Sequence, residues 1–110
     1  MAVKRQYECT VITTEDITAV CTFNKPPPLE FLQLTVGGYI ERVEIQYKGK
    51  KWCNMWINEE GRIINLPFNP KATALCKGEL ARYNSEFEPD FYQIYGNICI
   101  VRPVKVTPGV

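Results

Sequence analysis

Apolar and polar residues alternate with a period of two along much of this chain, and that pattern predicts strands. Tyr7, Cys9 and Val11 alternate with Glu8, Thr10 and Ile12 across 6–13, and Ile17, Ala19, Cys21 and Phe23 with Thr18, Val20 and Thr22 across 17–23. The Thr14-Glu15-Asp16 turn joins the two runs into an N-terminal hairpin over 5–24. Pro26-Pro27-Pro28 ends the pattern, because proline offers no N–H to a ladder, although Pro28 suits the first turn of a helix. Leu29, Phe31, Leu32 and Val36 then mark a short amphipathic helix, stopped at Gly37-Gly38, where glycine supplies a left-handed cap. The cleanest alternation, Tyr39 to Tyr47, predicts a strand that turns at Lys48-Gly49-Lys50. Its partner runs from Lys51 to Ile57 and carries Trp52, Met55 and Trp56.

Asn58-Glu59-Glu60-Gly61 is a second turn, and Arg62 to Leu66 reads as a further short strand before Pro67. Asn69 ahead of Pro70 is an N-cap followed by proline at the first helical position. The helix it starts runs to about Tyr83, with Ala72, Leu75, Cys76 and Leu80 facing inward. Asn84 to Asp90 is a polar loop, Tyr92 to Val101 a last strand broken at Gly96-Asn97, and 103–110 an extended tail. The order ββαβββαβ predicts an α+β fold, an antiparallel sheet of five to six strands with two helices packed on one face. It forms a single domain over 1–110 with its core in 28–102. A bare second face would expose Trp52 or Trp56, and apolar area of that size implies an interface, so oligomerisation is expected.

Composition removes several function classes. There is no histidine, and the five cysteines (Cys9, Cys21, Cys53, Cys76, Cys99) are scattered, so a zinc site is not expected and no cofactor is called for. Scattered free thiols, the lack of a signal-like segment and the lack of a long apolar run together predict a reduced, cytoplasmic protein with no membrane span. A net charge of +1 argues against a grip on long nucleic acid. Without histidine the usual proton shuttle is missing. Cys53, Cys76 and Cys99 sit mid-strand, mid-helix and in an apolar strand, where they read as small buried hydrophobes. Glu59-Glu60 and Glu86, Glu88 and Asp90 read as solvated loop acids. The expectation is a binding protein that is not an enzyme.

Phosphate chemistry is the exception. No phosphate-binding loop is present, but Asn69-Pro70-Lys71-Ala72-Thr73 opens a helix whose N–H groups and dipole attract anions. Arg62, Arg82 and Arg102 can clamp phosphate, and Phe68, Phe87, Tyr92 and Tyr95 can stack on bases. Phe87 stands out because it lies in a polar loop.

The blocks Val36-Gly37-Gly38-Tyr39-Ile40-Glu41, Asn58-Glu59-Glu60-Gly61, Leu66-Pro67-Phe68-Asn69-Pro70-Lys71-Ala72-Thr73-Ala74-Leu75 and Gly96-Asn97 follow one another in a set order. From about Leu32 to Arg102 the chain resembles a small domain of unknown function found in phages and prophages. It also looks like the first Thoeris anti-defence family of phage proteins. That resemblance implies a homo-oligomeric sponge (dimer or hexamer) that sequesters cyclic ADP-ribose isomers, or cyclic oligonucleotides, without cleaving them, with pockets between subunits. It implies an arginine for phosphate, an aromatic ring for adenine and an asparagine for polar edges. Arg62, Phe87 and Asn97 are the matches, with Asn69, Thr73 and Arg102 in support. The Gly37-Gly38 and Gly96 blocks are read as structural turns.

Overall fold

In the computed structural model, which describes residues 4–83 and 93–106, one antiparallel sheet carries a helix on each face. The elements are β1 (Lys4–Ile12), β2 (Thr18–Phe23), α1 (Leu29–Val36), β3 (Ile40–Tyr47), β4 (Lys50–Asn58), α2 (Pro70–Tyr83) and β5 (Ile98–Val106). The order across the sheet is β2-β1-β5-β4-β3, with every neighbouring pair antiparallel. This is the expected α+β class with five strands. Two of the finer expectations need correction.

The helices lie on opposite faces. Along β5, Ile98 and Ile100 pack with Ile12, Ile45, Met55, Ala72 and Cys76 beneath α2. Cys99 and Val101, pointing the other way, pack with Cys9 and Leu32 beneath α1. Connectivity explains the arrangement. The α1 segment must carry the chain from β2 at one edge to β3 at the other, so it crosses one face, while α2 joins the neighbours β4 and β5 across the other. A strand covered on both sides has no polar face, which is why 98–101 reads Ile-Cys-Ile-Val without alternation. Trp56 therefore packs beneath α1 with Phe23, Phe31 and Ile40 instead of facing solvent.

Arg62 to Leu66 is not a strand, so the order is ββαββαβ. Ile64 N–H donates to the Glu60 carbonyl at 3.0 Å and Leu66 N–H to that of Gly61 at 2.9 Å, a run of tight turns. Asn65 sits at φ 60°, which no strand accommodates. Phe68 alone bridges to Tyr95. The last strand begins at Ile98 and continues to Val106, so the first part of the expected tail pairs with β1, Pro103 opposite Tyr7 and Val104 opposite Gln6. Pro103 lies beyond Val101, where the β4 ladder has ended and β5 is flanked by β1, a position at which a sheet accommodates proline.

Helix α1 buries Leu32 and Val36 and ends at Gly37, whose φ of 81° is the left-handed cap expected of it. The hairpin β1–β2 belongs to the same sheet, with β1 between β2 and β5. Among the described residues no helix is long and apolar enough to cross a membrane.

Candidate functional site

All the recurring sequence blocks converge on one end of the sheet, where β1 and β4 finish, β3 and β5 start, and the two helices meet the strands. Three asparagines lock that end together. Asn58 donates to the Val36 carbonyl at 3.1 Å and accepts from Glu60 N–H at 2.8 Å. Asn69, with none of its surface exposed, accepts from Ala72 N–H at 3.1 Å as the cap of α2. Its amide donates to the carbonyls of Ile12 at 3.1 Å and Gly96 at 2.9 Å. Asn97 accepts from Thr14 N–H at 3.1 Å. Gly61 is needed because a Cβ there would stand 2.8 Å from the Tyr95 carbonyl oxygen.

Beside this lock, on the α2 face, lies a cavity of about 420 Å³. Its walls include Glu41 and Val43 of β3, Arg62 of the turn segment, and Gln93 and Tyr95 ahead of β5. The volume falls in the range of small-molecule sites. Arg62 is exposed and forms no ion pair among the described residues. The Tyr95 hydroxyl donates to Gln93 Oε1 at 2.7 Å, and its ring meets Phe68 edge-on at 5.8 Å. Glu41, Glu44 and Glu59 also line it; Glu44 is held by Arg42 at 3.4 Å. The cavity wall thus combines a guanidinium with no ion-pair partner among the described residues, carboxylates, an aromatic ring and an amide. A family model described as a domain of unknown function, DUF3846, matches residues 6–106. The chain belongs to that family. No curated protein and no solved structure matches it.

Within this DUF3846 chain the residues expected at a ligand site are dispersed. Arg62 lines the cavity. Asn97 borders a separate groove of about 240 Å³ beside α1, with Thr14, Leu34, Leu66 and Pro67. Arg102 projects from β5 and holds Glu8 of β1 through two contacts, at 3.0 and 3.3 Å; Lys48 approaches the same carboxylate at 3.9 Å. Asn69 and Thr73 are structural: Thr73 is buried and its hydroxyl accepts from Ile94 N–H at 2.8 Å. The start of α2 is not an open anion site, because Asn69 takes the Ala72 N–H, Pro70 has none, and Lys71 Nζ donates to the Thr18 hydroxyl at 3.0 Å. Phe87, with Glu86, Glu88 and Asp90, lies outside the described residues.

Sequence reasoning missed Glu41 and Gln93 as cavity walls, whereas Tyr95 was among the aromatics expected to stack on bases. The alternation of β3 puts Glu41 on the same face as Val43, a signal that was available. Gln93 and Tyr95 reach the cavity only because Tyr95 bridges to Phe68, which no local pattern encodes. Among the described residues no group of three or more acidic or thiol side chains can hold a metal ion.

Proposed function

We propose that this protein captures a small ribonucleotide signal and holds it intact. The observation that carries the reading is the cavity whose wall holds Arg62 together with Glu41, Glu59 and Tyr95. A guanidinium pairs with phosphate oxygens through charge-assisted hydrogen bonds, carboxylates accept hydrogen bonds from ribose hydroxyls, and the half-buried Tyr95 ring on the cavity wall offers a base an aromatic contact. Holding such a ligand needs a pre-organised cavity and no proton shuttle. The hydrogen bonds of Asn58, on the cavity wall, and of Asn69 behind it supply that rigidity.

The resemblance in the motif blocks gives this reading its biological form. The ligand is a cyclic ADP-ribose isomer or a cyclic oligonucleotide, and its sequestration in the host cytoplasm by a phage protein assembled as a homo-oligomer blocks Thoeris signalling. Calorimetry of the full chain with a cyclic ADP-ribose isomer, followed by heat denaturation and chromatography of the released ligand, tests it. Tight binding with intact release supports sequestration, a cleaved product replaces it with an enzyme, and no binding removes the nucleotide.

A protein-binding inhibitor is the second reading. It is favoured by exposed apolar side chains near the same end of the sheet, Leu34 at 83%, Tyr39 at 69% and Ile63 at 79%. Leu34→Asp with Ile63→Asp would abolish capture of a host factor yet leave nucleotide binding intact.

A further inference from the structure

Cysteines 9, 21 and 99 form a row of thiols across three strands. Cys9 of β1 lies directly opposite Cys21 of β2. Cys9 also pairs with Val101, and Val11 with Cys99, so Cys99 of β5 is the diagonal neighbour of Cys9 on the same face. Directly opposed residues in an antiparallel pair have Cα atoms about 4.5 or about 5.5 Å apart, depending on the kind of pair. A disulfide spans about 4.4–6.8 Å between Cα atoms. By Cα separation either kind of pair brings Cys9 and Cys21 within disulfide range, with the Cβ atoms closer in a non-hydrogen-bonded pair. Access differs sharply along the row: Cys21 is exposed on an edge strand, whereas Cys9 and Cys99 have no exposed surface. A small reagent reaches one sulfur only.

We infer that Cys21 and Cys9 form a thiol-exchange site, in which Cys21 captures a low-molecular-weight disulfide of the glutathione type and Cys9 resolves it into a cross-strand disulfide. In the first step the Cys21 thiolate, its proton lost to solvent, attacks one sulfur of the small disulfide. That S–S bond breaks, the Cys21–sulfur bond forms, and one small thiolate leaves. In the second step the Cys9 thiolate attacks the Cys21 sulfur of the mixed disulfide, forms the Cys9–Cys21 bond and expels the second small thiolate. Two protein thiols are oxidised and one small disulfide is reduced to two thiols, which balances electrons and protons.

The surroundings suit these roles. Hydrogen bonding by the Cys99 thiol, and then by Cys21, holds the Cys9 thiol below its ordinary range despite burial and the nearby Glu8. Cys99 itself is pushed up, chiefly by its hydrogen bond to Cys9, so it keeps its proton and serves as the donor that stabilises the resolving thiolate. When Cys21 has become a mixed disulfide it no longer donates a proton, but Cys99 still does. Burial raises the Cys21 thiol, so mildly alkaline pH favours the attacking thiolate.

The test uses the full reduced chain with glutathione disulfide at mildly alkaline pH, read by intact mass and peptide mapping. The wild type should lose a pair of hydrogens, retain no adduct, and yield a Cys9–Cys21 linked peptide. Cys9→Ser should stop at one glutathione adduct on Cys21, and Cys21→Ser should stay unmodified while folded. A wild type that keeps a stable adduct on Cys21, links any other cysteines, or remains fully reduced overturns the proposal. The wild-type map decides the matter even if the Cys9 variant fails to fold.

Discussion

Replacing Asn69 by alanine removes three buried hydrogen bonds at once, since the side chain caps α2 through Ala72 N–H and ties the end of β1 to Gly96 through two carbonyls. Loss of an N-cap costs about 1 kcal/mol. Each carbonyl that loses its donor inside the protein costs about 1 kcal/mol more. The expected destabilisation is about 3 kcal/mol, a large share of the ~5–15 kcal/mol that holds a typical domain together. Serine keeps an acceptor for the cap and forfeits both donors, so it should cost about 2 kcal/mol. Aspartate also keeps the cap, but it buries a charge against two carbonyl oxygens and should be at least as damaging as alanine. Urea unfolding followed by far-UV circular dichroism reads these costs from the midpoint, with the slope unchanged. An alanine variant within about 1 kcal/mol of wild type, or an aspartate variant matching it, would refute the view that donation to Ile12 and Gly96 holds this end of the sheet.

Gly61→Ala should cost about 2 kcal/mol, because its Cβ would meet the rigid Tyr95 carbonyl at 2.8 Å. Gly49→Ala, at φ 75° with open space around it, should cost only the backbone strain of about 1 kcal/mol, and thermal melts compare the two. Arg62→Ala should weaken ribonucleotide binding by about tenfold or more in calorimetry without lowering the melting temperature. Asn97→Ala, outside the cavity, should leave affinity unchanged, and equal losses in both variants would contradict the site assignment. Burial raises the Cys76 thiol, so the folded chain keeps this proton at pH values where the unfolded thiol has lost it. The unfolded state then binds fewer protons, and stability falls as pH rises past about 8.5. Urea midpoints across that range should fall less steeply for Cys76→Ala, and identical slopes would rule this out.

Several elements were legible in the sequence because they depend on neighbours along the chain. The period-two runs placed β1 to β4, the left-handed glycine stopped α1 at Val36, and Asn69-Pro70 started α2. The absence of histidine and the scatter of cysteines were equally readable from composition alone. Arg62 to Leu66 misled because two isoleucines in a row look extended, whereas the positive φ of Asn65 and the Glu60 and Gly61 carbonyls close turns there. Which face each helix covers was decided by tertiary structure, since it depends on β5 inserting between the β1–β2 and β3–β4 hairpins and leaving β2 and β3 at opposite edges. The same insertion turned Asn69 and Thr73 from anion-binding candidates into buried partners of distant backbone groups. It also sent Arg62, Asn97 and Arg102 to three different places. Local patterns encode hydrogen bonds and periodicities a few residues apart, but a binding surface is set by contacts between residues far apart in sequence.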